Sequence, residues 1–203
     1  MDPDRPDPAG SPSRRRLLLL FALVALAAYV ADQLSKWWAV ERLQGRPDIA
    51  VVGDVLQLHF VRNPGAAFST GRGLTPVITC VAIVATVVVL VVARRIGTRL
   101  WAIALGLLLA GITGNLTDRL LREPGPFRGH VIDMIQLPNW PVFNIADIAI
   151  NVAAGLIVLQ ALRGIRLDGT RDGDESPAPE GPEGPEEPGP AVATPTTEPG
   201  GTP

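Results

Sequence analysis

Four stretches of this chain are apolar enough, and long enough, to decide what it can fold into. A bilayer crossing takes about 20 helical residues, and the runs near 16–39, 75–93, 99–120 and 142–163 all reach that scale. Hydrocarbon offers the backbone no water to bond, so lone spans of this kind are expected to be helices. The first run follows Arg14-Arg15-Arg16, and its Ala25-Leu26-Ala27 fits the small-residue pattern at which secretory leaders are cut. That tripeptide lies inside the apolar run rather than after it, so the helix is expected to be retained. Four spans return both termini to one side. Arg14–Arg16, Arg94, Arg95, Arg99, Arg163 and Arg166 flank one set of helix ends, which makes that side cytoplasmic by the positive-inside tendency. Arg42, Arg46, Arg62, Arg72, Arg122 and Arg128 in the opposite loops weaken the asymmetry.

The formal charge of −2 over 203 residues hides two regimes. From Asp168 onward the chain carries nine acids and one arginine among repeated Pro, Gly, Glu and Thr, too few apolar groups to offset chain entropy. Setting that segment aside leaves 17 basic and 11 acidic residues in 1–167, a net of +6. The expected organisation is a disordered tail over 1–14, a four-helix membrane unit over 15–167, and a disordered acidic tail over 168–203. The single Cys80 excludes a disulfide framework, and His59 and His130 lack partners at zinc-ligand spacing. Neither a metal nor another cofactor is expected. Gly111-Ile112-Thr113-Gly114 sits within an apolar run, where close helix packing explains the glycines better than phosphate binding.

Between the first two spans, Gly53-Asp54 reads as a hairpin turn, and Leu56 to Val61 alternates apolar and polar as a half-buried strand does. The expected fold class is thus an all-α membrane protein with a small extracytoplasmic β-sheet. The other outer loop, about 121–141, carries four prolines and reads as irregular or interfacial.

Acids stand at the edges of these spans: Asp32, Asp118, Asp133 and Asp147. An Asp at a helix centre costs about 2.5–3.5 kcal/mol on insertion scales, so such residues usually serve a site or a polar partner. Asp32 and Lys36 are spaced i, i+4 and can pair, with Lys36 snorkelling to the interface. Asn115 and Arg119 share a face, and the spacing allows Asp118 to pair with Asn115. Asn144, Asp147 and Asn151 fall on one helical face. Asn63-Pro64-Gly65 is turn chemistry. Asp133 lies in the apolar pentapeptide Val131-Ile132-Asp133-Met134-Ile135, where burial raises its pKa. Two buried carboxylates brought together share one proton, as in aspartic proteases. Spacing alone does not decide between Asp118 and Asp133 as the partner of Asp147. A Ser/Lys peptidase using Ser35 or Ser69 with Lys36 is one rival reading. A transporter whose acids bind protons is another, opposed by the scarcity of polar residues in the second span and by the gathering of the acids toward one side.

Five blocks in order, Asp32-Gln33-Leu34-Ser35-Lys36, Asn63-Pro64-Gly65-Ala66-Ala67-Phe68, Gly114-Asn115-Leu116-Thr117-Asp118-Arg119, Val131-Ile132-Asp133 and Phe143-Asn144-Ile145-Ala146-Asp147, resemble the lipoprotein signal peptidases, or signal peptidase II. With the four-span layout the resemblance covers about 15–165. It implies cleavage of the signal peptide from diacylglyceryl-modified prolipoproteins just before the lipidated cysteine, without a cofactor or a nucleic-acid partner. It assigns the catalytic pair to Asp133 and Asp147. It places Asn63, Gly65, Asn115, Arg119, Asn144 and Ala146 around them, with Asp32 and Lys36 in support. Asn151, a turn deeper, reads as packing. The resemblance further implies a bacterial cytoplasmic-membrane location, a site toward the extracytoplasmic face beside membrane lipid, and inhibition by globomycin-type cyclic peptides. The segment from Arg119 to Asp133 is longer than the family pattern and that from Asp133 to Asp147 shorter; the acidic tail lies outside the pattern.

Overall fold

The computed structural model describes residues 13–65 and 74–171. The first twelve residues, Ala66-Ala67-Phe68 with Ser69, and the tail from residue 172 lie outside the described part. Four helices, α1 (Arg14–Leu43), α2 (Thr75–Ala93), α3 (Arg99–Leu121) and α4 (Ile145–Leu162), are each long and apolar enough to span a membrane. Three strands, β1 (Ile49–Val52), β2 (Leu56–Asn63) and β3 (Val131–Gln136), form one antiparallel sheet in the order β1-β2-β3.

Helix α3 is central and packs against each of the other three helices. Its glycines permit that. A methyl group on Gly111 would stand 2.5 Å from Ile150 Cγ1 and 2.6 Å from the Ala146 carbonyl, and one on Gly114 would stand 2.5 Å from Asp32 Oδ2. Helix α1 runs well past its expected end at 39, and its buried residues Leu17, Phe21, Ala25, Asp32, Lys36, Ala39 and Leu43 follow one helical stripe. Asp32 and Lys36 are therefore on the inward face. The outward faces of α1 and α2 carry exposed Leu and Val, the composition a lipid-facing surface needs.

The turn expected at Gly53-Asp54 joins β1 to β2, with Gly53 at φ +49°, a left-handed conformation that glycine takes without steric cost. The expectation for 121–141 is corrected. Within that loop Val131–Gln136 is an ordered strand whose Val61↔Asp133 and Asn63↔Val131 pairings fix Asp133 in register beside β2. Helix α4 begins at Ile145, not 142, because Asn144 caps it. Described chain continues past the expected boundary at Asp168: Ile165 and Arg171 form an isolated bridge, and the Leu167 carbonyl accepts the Gly97 N–H at 2.8 Å.

Candidate active site

Asp133 and Asp147 reach one cavity from different elements, the first from β3 and the second from the opening turn of α4. The cavity has a volume of about 550 Å³. Three asparagines hold the two carboxylates. Asn144 Nδ2 donates to Asp133 Oδ1 at 2.6 Å, and Asn63 Nδ2 donates to Asp133 Oδ2 at 3.0 Å. Asn115 Nδ2 donates to Asp147 Oδ1 at 2.9 Å, and the Asn144 backbone N–H donates to Asp147 Oδ2 at 3.1 Å. Each of the four carboxylate oxygens thus receives a neutral amide donor. Asn63 can reach because it and Asp133 are diagonal neighbours on one face of the β2–β3 pair.

Asn144 also accepts the Asp147 N–H on its own Oδ1 at 3.0 Å, which completes a capping box. Asp147 is therefore an acid in the first turn of its helix, where unpaired N–H groups and the helix dipole favour negative charge. The cost charged to an Asp at a helix centre does not apply to it. Asp133 is the deeply buried partner. Burial pushes its carboxyl up to about 7, the Asp147 charge adds to the rise, and the amides of Asn63 and Asn144 oppose it.

Behind the pair lies a buried ion network. Lys36 Nζ contacts Asp32 at 2.8 Å, Asp118 at 2.9 Å and Asn115 Oδ1 at 2.9 Å, three acceptors for three ammonium donors. The expected Asp32–Lys36 pair is present, but Lys36 does not snorkel; it is fully buried. Asp32 Oδ1 also accepts the Ala146 N–H at 2.9 Å, tying α1 to the start of α4. Asp118 does not bond Asn115. It takes Lys36, Arg122 Nε at 2.5 Å and the Ile132 N–H at 3.2 Å, so it anchors β3 rather than facing the cavity. The spacing of Asp118 and Asn115 on α3 misled because Asp118's partners come from another helix, the helix end and β3. Arg122, spaced i, i+4 from Asp118, is the member of this network that the sequence reading passed over.

Arg119 Nη2 donates to the Gly65 carbonyl at 3.1 Å and Nη1 to the Asn115 carbonyl at 3.3 Å, while its buried Nε–H has no partner among the described residues. Gly65 N–H in turn bonds Asn63 Oδ1 at 3.0 Å. Asn63, Gly65, Asn115 and Arg119 all line the cavity, whereas Asn144, Ala146, Asp32 and Lys36 support it from behind. Asn151 differs from its expected packing role. It is exposed, borders the cavity and donates to the Asp147 carbonyl at 2.9 Å. The remaining wall is largely apolar, with Trp140, Ile148 and Val152 among its members, a surface the motifs alone did not reveal. Ser35 Oγ is bound to the Asp32 carbonyl at 2.7 Å and stands outside the cavity lining, and Lys36 has no donor to spare. That arrangement does not support the Ser/Lys reading; Ser69 lies outside the described residues.

Comparison with known proteins bears on the same residues. A family model described as signal peptidase (SPase) II matches residues 24–163. The chain is 49% identical over 170 residues to a lipoprotein signal peptidase of Leifsonia xyli, covering 81% of this chain and 79% of the relative. It is 46% identical over 157 residues to the lipoprotein signal peptidase of Streptomyces griseus, covering 77% and 80%. A solved bacterial membrane enzyme superposes with a TM-score of 0.64 at 25% identity, covering 70% of this chain and 87% of that one.

Proposed function

This chain belongs to the signal peptidase II family, an aspartic peptidase family, and from that premise we propose that Asp133 and Asp147 are the pair that hydrolyses its substrate's peptide bond. The observation that carries the proposal is the convergence of both carboxylates on one cavity, each oxygen held by a neutral donor. With no cation among the described residues paired directly to either acid, two adjacent charges are unfavourable and the pair retains one proton. The ionised member takes a proton from water as the water oxygen attacks the scissile carbonyl. The protonated member hydrogen-bonds the carbonyl oxygen and stabilises the tetrahedral intermediate; on collapse the pair returns a proton to the leaving amine. Arg119 supports this by adding a positive charge to the cavity lining, its guanidinium held by the Gly65 and Asn115 carbonyls.

The substrate is a prolipoprotein carrying diacylglycerol on the cysteine that follows the cut. The largely apolar wall of the cavity, with Trp140, Ile148 and Val152 in it, suits a peptide that arrives from lipid with its acyl chains still in the membrane. A globomycin-type cyclic peptide would occupy the same space. The Arg-rich helix ends lie away from the cavity, which supports cytoplasmic termini and an extracytoplasmic site in the bacterial cytoplasmic membrane. Residues 15–167 form the peptidase unit, with the chain outside it dispensable for chemistry. The discriminating assay offers the purified protein a diacylated prolipoprotein and its unmodified counterpart. Cleavage of the first alone, abolished by globomycin, is expected; equal cleavage of both would remove the lipid from the recognition.

A further inference from the structure

A second concavity, of about 410 Å³, opens among the start of α1, the end of α2 and the α2–α3 connection. Arg14, Arg94 and Arg95 line it, over an apolar floor formed by Leu17 and Ile96, both buried. Arg14 donates to the Arg94 carbonyl, which holds its guanidinium over the end of α2. Among the described residues no carboxylate forms an ion pair with Arg94 or Arg95. The acid in the lining, Asp168, accepts from Thr170 N at 3.0 Å and Thr170 Oγ1 at 2.7 Å on Oδ1, neutral donors that leave its charge in place, so the three arginines still outweigh it in the lining.

The wall on that side is built rather than incidental. Gly97 donates to the Leu167 carbonyl at 2.8 Å, Trp101 Nε1 donates to the Ile165 carbonyl at 3.2 Å, and any side chain at Gly97 would collide with the Asp168 backbone. Arg94 and Arg95, at the C-terminal end of α2, need only water and the helix dipole to account for them, whereas Arg14 stands at the N-terminus of α1, which the dipole leaves positive. Three arginines around a recess, with an apolar floor and with exposed Val88 and Val91 seven and four residues before Arg95 on its helical face, fit a phosphate headgroup whose acyl chains run down the helices.

We propose that this recess binds the phosphate of an anionic glycerophospholipid. Free phosphate shares the headgroup chemistry but would make no use of the apolar floor and flanks. The proposal does not depend on the peptidase reading, since none of these residues borders Asp133 or Asp147.

Full-length protein in neutral detergent would be treated with phosphatidylglycerol bearing a photoreactive headgroup, and the labelled peptides mapped by mass spectrometry. Labelling should centre on residues 94–97. It should fall about tenfold or more in Arg94→Gln/Arg95→Gln, given the attraction each basic residue contributes at a membrane surface, and persist in Arg94→Lys/Arg95→Lys. Labelling confined to the cavity wall around Trp140 to Val152 would overturn the proposal. So would equal labelling by a phosphatidylcholine analogue, indifference to the double Gln substitution, or loss in the double Lys variant. Displacement by inorganic phosphate as effective as by unlabelled phosphatidylglycerol would assign the recess to the free anion instead.

Discussion

At the scale of single residues, the carboxylate pair is governed by amide groups rather than by cations. Lys36 is the nearest ammonium in the network, yet it meets Asp147 only through Asn115, whose Oδ1 it binds while Nδ2 is turned to the acid. Among the described residues Asn144 alone bonds both acids, through its side chain to Asp133 and its backbone to Asp147. Because Asp133 is raised to about 7, the proton it holds is lost as pH climbs through that value. Activity that needs one proton on the pair should therefore decline on the alkaline side with an apparent midpoint near 7. The Asn63 amide favours the ionised carboxylate and is the largest influence lowering its pKa. Asn63→Ala should accordingly move the alkaline limb of kcat/KM to higher pH, besides lowering its plateau. A limb that stays put, or shifts downward, would mean that Asp133 is not the group being titrated.

Among the secondary-structure elements, the site depends on three contacts between parts distant in sequence: α1 to α4 through Asp32 and Ala146, α3 to β3 through Asp118 and Ile132, and β2 to β3 through Asn63 and Asp133. Close approach of the helices is a condition for the first. Gly114→Ala would bring a methyl group to 2.5 Å from Asp32 Oδ2 and 3.3 Å from Ala146 Cβ, so the ion network or α4 must move. Overpacking of this kind costs about 1–3 kcal/mol. The variant should melt measurably earlier in detergent and lose activity with it, whereas unchanged melting and turnover would show that the packing can relax at little cost. The spans, the hairpin turn and the packing role of these glycines were legible in the sequence, since length, apolarity and turn chemistry are local signals. Strand β3 was not. Val131 to Met134 is buried on both faces, so the apolar–polar alternation that announced β2 is missing there. The full burial of Lys36 was equally hidden, because its second carboxylate, Asp118, comes from another helix.

For the whole molecule, the arrangement separates two environments along the helices. Asp133, Asp147 and their supports gather where the sheet meets the starts of α2 and α4, while the arginines collect where α1 begins and α2 ends. The motifs indicated the site's membership well, but they could not rank Asp118 against Asp133 on spacing. Only the family resemblance preferred Asp133, and the three-dimensional arrangement gives a physical reason: Asp118 has both oxygens committed to Lys36, Arg122 and Ile132 N, whereas Asp133 opens on the cavity. The most direct measurement is cleavage of a diacylated prolipoprotein by purified Asp133→Asn and Asp147→Asn, each compared with the wild-type protein for folding by its melting transition. Both variants should remain folded and lose at least about 10³-fold in kcat, the scale on which removal of a member of a catalytic unit acts. Near-normal turnover by either folded variant would contradict the assignment of the pair.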